Sequence, residues 1–185
     1  MRGARLAQVL PVLARFASGR ADRGEVKGEL IQAALGGESR ARLEAWTARF
    51  VARVLEHGLI ADALTTLAGH RSAGDRLVLL SASTDLYVPA IGRALGFDEV
   101  LCTGVQWDGD RLVGRLSTPN RRGAEKTRCL VGLRQRYPGV PIVAYGNAAS
   151  DLEHLRLADR AVLVNGTPRA RRAARRAGVA CVTWR

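Results

Sequence analysis

At 185 residues with 47% hydrophobic content, the chain is long enough for a domain with a real core, and its longest apolar runs are far too short to span a bilayer. Cys102, Cys129 and Cys181 are isolated and the three histidines scattered, which indicates neither a disulfide framework nor a zinc site and suits a reducing cytoplasm. A net charge of +12 admits a polyanionic partner, but the arginines run along the whole chain with few aromatics between them, so nucleic-acid binding is disfavoured against a solvated charged face.

Residues 1 to about 70 read as helical. Leu6, Val9, Leu10 and Leu13, then Val26, Leu30, Ile31 and Leu35, recur at three- and four-residue spacing. Gly36-Gly37 closes one helix, and Ser39 caps the next, whose Trp46 and Phe50 are read as core. No signal peptide is read in the stretch from Leu6 to Leu13, which Gln8 and Pro11 interrupt. A helix around Leu64 to His70 leads into Arg76-Leu-Val-Leu-Leu80, read as a strand buried on both faces of a parallel sheet. The run stops at Ser81-Ala-Ser83-Thr84, where open α/β sheets bind ligands and where a helix reaching Leu95 would aim its amides at an anion. Ser81 is placed to donate a hydroxyl there; capping of that helix by Ser81, Ser83 or Thr84 is the competing role.

Glu99 to Thr103 reads as a short strand, and Val105-Gln-Trp107 and Arg111 to Leu116 form a β-hairpin around Asp108-Gly109-Asp110. A hairpin tip gives those aspartates no crevice for a metal. Pro119 to Lys126 opens a helix reaching about Tyr137. Of the 29 basic residues only Lys27 and Lys126 are lysine, and Lys126 falls in a first helical turn, where the macrodipole disfavours a cation unless an anion is held nearby. Val140 to Tyr145 is a second buried strand. Its exit, Gly146-Asn147-Ala-Ala-Ser150-Asp151, sets an amide and a carboxylate four residues apart, an arrangement suited to Mg²⁺, with helix capping by Asp151 as the alternative. Strands at Ala161 to Asn165 and Val179 to Thr183, with an amphipathic basic helix at Arg169 to Arg176 between them, complete an alternating β and α pattern.

Ser81 at its strand end, Lys126 in Pro119-Asn-Arg-Arg-Gly-Ala-Glu-Lys126, and the exit Tyr145-Gly-Asn-Ala-Ala-Ser-Asp151 together resemble the haloacid dehalogenase-like superfamily, most closely its phosphoserine-phosphatase-like branch. The resemblance covers essentially the whole chain. It implies an α/β fold with a Rossmann-like parallel sheet flanked by helices, in which residues 1–70 form a helical cap and residues 71–185 the core. It further implies a Mg²⁺-dependent phosphomonoesterase for a small phosphorylated metabolite such as phosphoserine. Ser81 and Lys126 would serve catalysis, Ser81, Ala82, Ser83, Asn120 and Lys126 would bind substrate, and Asn147 and Asp151 would hold the metal. Asn147 stands where many relatives carry aspartate.

The family's nucleophile and acid/base aspartates, spaced Asp-x-Asp on a first strand before the cap, have no counterpart in this sequence. The expectation is a chain that starts inside the cap, with the first catalytic strand absent. Residues 77–80 and 142–145 are then expected to pair directly, and exposed strand edges to favour self-association. The alternatives are a catalytically silent relative that binds a phosphorylated ligand or a protein, and a basic nucleic-acid-binding protein.

Overall fold

Asp22 opens the first long helix by accepting hydrogen bonds from the Gly24 and Glu25 amides at 2.7 and 2.8 Å, while Glu25 accepts from the Asp22 amide at 2.9 Å. This reciprocal capping box satisfies donors that a helix start leaves orphaned. The computed structural model describes residues 9–185, and Leu6 of the first apolar stripe lies outside them. Among the described residues four helices come first: α1 (Leu10–Ala17), α2 (Arg23–Leu35), α3 (Arg40–His57) and α4 (Ala61–Ser72). Ser39 caps α3 as expected, accepting from the Arg42 amide at 3.3 Å. Among the described residues no helix is long and apolar enough to cross a membrane.

The hairpin strands β3 (Val105–Asp108) and β4 (Arg111–Leu116) pack on this helical segment. Leu43, Val105 and Leu112 form a buried cluster joined by Ile31, Leu35 and Trp46. Asp108 pairs with Arg111, so the two-residue loop is Gly109-Asp110. Only its glycine has positive φ, the sign pattern of a type II′ turn rather than the Asp-Gly type I′ turn. Trp46 joins the core, but Phe50 does not. It is 46% exposed, with its ring edge-on to Tyr87 at 5.0 Å, because the buried stripe of α3 runs through Leu43 and Val51.

The parallel strands fall into two groups. β1 (Val78–Thr84) pairs with β2 (Glu99–Thr103) across α5 (Val88–Ala94). After α6 (Ala124–Arg136), β5 (Val143–Gly146) pairs with β6 (Arg160–Val164), and β6 with β7 (Ala180–Val182). The short α7 (Leu152–Leu155) and the basic α8 (Pro168–Arg176) connect these last strands. Leu155 and Leu163, both fully buried, centre the core under α8, which turns Ala170 and Ala174 inward and Arg169, Arg172, Arg175 and Arg176 outward.

Four expectations are corrected here. β1 does not stop at Leu80: it continues through Ser81–Thr84 with a register irregularity, because Thr84 still pairs with Thr103. The N-cap of α5 is Tyr87 without a side-chain cap bond, so Ser81, Ser83 and Thr84 do not cap that helix, nor does it start at the strand end. Residues 77–80 and 142–145 do not pair; among the described residues β1 pairs only with β2, and β5 only with β6. Tyr145 is drawn instead toward α4 and the C-terminus, its hydroxyl 2.8 Å from His70 Nε2 and its ring 5.6 Å from that of Trp184. Both strands are consequently half-buried rather than enclosed, with Tyr145 38% exposed.

Candidate active site

A cavity of about 530 Å³ lies between the carboxyl ends of β1 and β5, the position where open α/β sheets hold ligands. Leu80 to Ser83 form one wall and Tyr145 to Ala148, Ser150 and Asp151 the other. Arg122 and Lys126 enter from the start of α6, and Ile60, Ala63, Val164 and Trp184 complete the lining. Trp184 is placed by Asn165, the one non-glycine residue with positive φ among those described. Its amide group bonds the Trp184 carbonyl at 3.2 Å and its oxygen accepts from the Trp184 N–H at 2.9 Å.

Six of the residues singled out in the sequence, Ser81, Ala82, Ser83, Lys126, Asn147 and Asp151, meet at this cavity. Asn120 does not line it. Its Oδ1 turns away to accept from Lys27 at 2.5 Å. Ser81 Oγ accepts from the Ser83 amide at 3.1 Å, which leaves the hydroxyl proton to donate elsewhere.

The anion that offsets the position of Lys126 is Asp151. Lys126 Nζ donates to Asp151 Oδ1 at 2.8 Å, with the two side chains only 14% and 5% exposed. Asp151 Oδ2 accepts from the Asn147 and Ala148 amides at 3.1 and 3.0 Å, folding the loop back on itself and closing the start of the single 3₁₀ turn Ala149–Asp151, while it makes no side-chain bond to the α7 that follows. A Cβ on Gly146 would lie 2.8 Å from that of Asp151, so this close return needs glycine at the strand exit. Burial raises the Asp151 carboxyl, but the Lys126 hydrogen bond and charge, with the two amides, outweigh it and hold the group below the usual carboxylate range. Behind the pair, burial and then Lys126 push His154 below its ordinary value; its Nδ1 is buried without a partner. Glu125, also buried, pairs with Arg121 and with Arg128, and Arg122 is the arginine among the residues that line the cavity.

Asn147 and Asp151 offer hard oxygen donors. Both Asp151 oxygens already accept hydrogen bonds, and the described residues hold no cluster of three or more His, Cys, Asp or Glu suited to a metal. Two oxygen-bearing side chains do not make an all-protein cage, so an Mg²⁺ ion held by them would keep waters and take ligand oxygens. Lys27 has no local pattern that gives it a role, and its rarity is the one signal the sequence carries for it. From α2 it reaches the Ala82 carbonyl at 2.6 Å, beside Ser81.

A family model described as haloacid dehalogenase-like hydrolase matches residues 1–156. Protein CicA of Caulobacter vibrioides is 32% identical over 141 residues, which cover 75% of this chain and 62% of that protein. Among solved structures, a protein with unknown function from Bordetella pertussis Tohama I superposes with a TM-score of 0.75 at 21% identity, covering 93% of this chain and 79% of its own. A probable phosphoserine phosphatase from Vibrio cholerae gives 0.73 at 18% identity, covering 95% and 51%. The chain belongs to the haloacid dehalogenase-like hydrolases, and its fold is of the phosphoserine-phosphatase-like type. It spans 62% of the length of the CicA protein.

Proposed function

We propose that the chain supplies the cap, the phosphate-binding residues and the metal-side residues of a Mg²⁺-dependent phosphomonoesterase acting on a small phosphorylated metabolite. The observation behind this reading is that Ser81, Lys126 and Arg122 line one cavity at parallel strand ends. Phosphoryl transfer rests on positioning and charge neutralisation, and Lys126, already pinned by Asp151, can meet a phosphoryl oxygen with little reorganisation. Ser81 donates its free hydroxyl proton to a second oxygen. Asn147 and Asp151 would hold Mg²⁺, which when bound neutralises phosphoryl charge.

Among the described residues Asp151 is the only carboxylate that lines the cavity, and it is committed to Lys126. Transfer through an aspartyl-phosphate needs a free carboxylate to attack phosphorus as the alcohol leaves. In this reading it arrives on an Asp-x-Asp strand seated between β1 and β5. The commitment of Asp151 also favours one second reading, a catalytically silent module that binds a phosphorylated ligand. The test is hydrolysis of 4-nitrophenyl phosphate with Mg²⁺ by the 185-residue chain and by the chain extended with an upstream Asp-x-Asp strand. Turnover only in the extended form, lost in Lys126→Met, is expected. Phosphate binding without turnover in both forms supports the silent module, and turnover by the shorter chain overturns the placement of the nucleophile.

A further inference from the structure

Both lysines of this arginine-rich chain reach the same region by different means. Lys126 has a carboxylate partner, whereas Lys27 has none among the described residues. Its ammonium donates to the Ala82 carbonyl at 2.6 Å and to Asn120 Oδ1 at 2.5 Å, acceptors 55 and 93 residues away in sequence. Thr103, fully buried, donates to the same Ala82 carbonyl at 2.8 Å and accepts from the Arg121 amide at 3.1 Å. One ammonium and one hydroxyl thus fasten the end of β1 to the turn that leads into α6. The first segment carries Ser81 and the second leads to Lys126.

The face of α2 that bears Lys27 is shaped for this approach. A Cβ on Gly24 would lie 3.3 Å from Asn120 Cβ, and one on Gly28 would lie 3.6 Å from the Gly114 carbonyl, so the helix sits directly on both neighbours. An ammonium is a point charge with three donors and bridges two convergent acceptors; a planar guanidinium would need them in its own plane. Burial and then the Arg122 charge pull Lys27 below its ordinary value. A partly buried cation is costly to keep unless hydrogen bonds satisfy it, and both acceptors that satisfy this one come from the segments it joins.

We infer that Lys27 is a positioning residue for the phosphate site: from α2 it holds the Ala82 segment and the Asn120 turn together and thereby sets the spacing of Ser81 and Lys126. This deepens the phosphate-site reading and rests on it for the affinity measurement alone. The experiment compares the full chain with Lys27→Met, Lys27→Arg and Asn120→Ala by hydrogen–deuterium exchange and by calorimetric titration with inorganic phosphate. The loss of charge-assisted hydrogen bonds in Lys27→Met is expected to raise exchange about tenfold in residues 79–84 and 117–123, with β5 to β7 unchanged. Phosphate affinity falls about tenfold in parallel, and Lys27→Arg, which keeps the charge without the convergent geometry, lies midway. If Lys27→Met does not fold, Asn120→Ala carries the test with the same rise in residues 117–123. Unchanged exchange in those segments, or an equal rise throughout the protein, overturns the inference. If the parent chain binds no phosphate, that failure falls on the phosphate-site reading, and exchange still decides the role of Lys27.

Discussion

Lys126→Met keeps the length and apolar stem of the side chain while stripping Asp151 of its cation. The pair is 2.8 Å apart, with Asp151 5% exposed, so the remaining carboxylate is buried with only two backbone amides as donors. Removing one partner of a buried ion pair costs about 3–5 kcal/mol, and the two surviving amides place this case near the lower end. In the parent protein the Asp151 carboxyl is held below its unfolded value, so its stabilising contribution is complete above about pH 4 and is lost as pH falls through the folded value. Without Lys126, burial, the largest single influence on the group, is opposed by the two amides alone, and the penalty is expected to be greatest at neutral pH and to fade as the group protonates. Urea unfolding of Lys126→Met, Asp151→Asn and the double variant, near neutral pH and near pH 4.5, measures this. The expected loss for Lys126→Met is about 3 kcal/mol at neutral pH and clearly smaller in acid, with the double variant milder than the sum of the singles. A loss below about 1 kcal/mol at neutral pH, the range of an exposed pair, or an equal loss at both pH values refutes the reasoning.

Gly114→Ala would set a Cβ 2.4 Å from Gln32 Cα at a φ of 92°, prising α2 off the hairpin. Thermal melting should show a loss of about 3 kcal/mol. Asn147→Asp places a second carboxylate beside Asp151 and should destabilise the metal-free protein while tightening Mg²⁺ binding about tenfold, read by calorimetric titration with Mg²⁺. Asp22→Ala removes the capping box of α2 and should cost about 1 kcal/mol in a denaturant melt followed by circular dichroism.

What the sequence disclosed was local. The apolar runs of β1, β5 and β6, the Ser39 cap and the hairpin were legible because each is specified within a few residues. The meeting of Ser81 with Lys126 and Asp151 followed from strand ends in a parallel sheet, a rule of topology rather than of contact. Distant contacts decided the rest. Ser81–Thr84 look like a strand stop, yet Thr84 pairs with Thr103, which no local pattern announces. Asn120 sits within the stretch that resembles the family, but its side chain answers to Lys27, 93 residues earlier. The separation of β1 from β5 is bordered by the contacts of His70 and Trp184 with Tyr145, residues drawn from opposite ends of the fold.

The claim on which the functional reading stands is that this cavity is a phosphate site. Titrating the ¹⁵N-labelled chain with inorganic phosphate while following backbone amide shifts tests it most directly. The expected shifts centre on Ser81 to Ser83 and Asn147 to Ser150 and disappear in Lys126→Met. Shifts confined to the arginine face of α8, or shifts at the cavity undiminished in Lys126→Met, would contradict it.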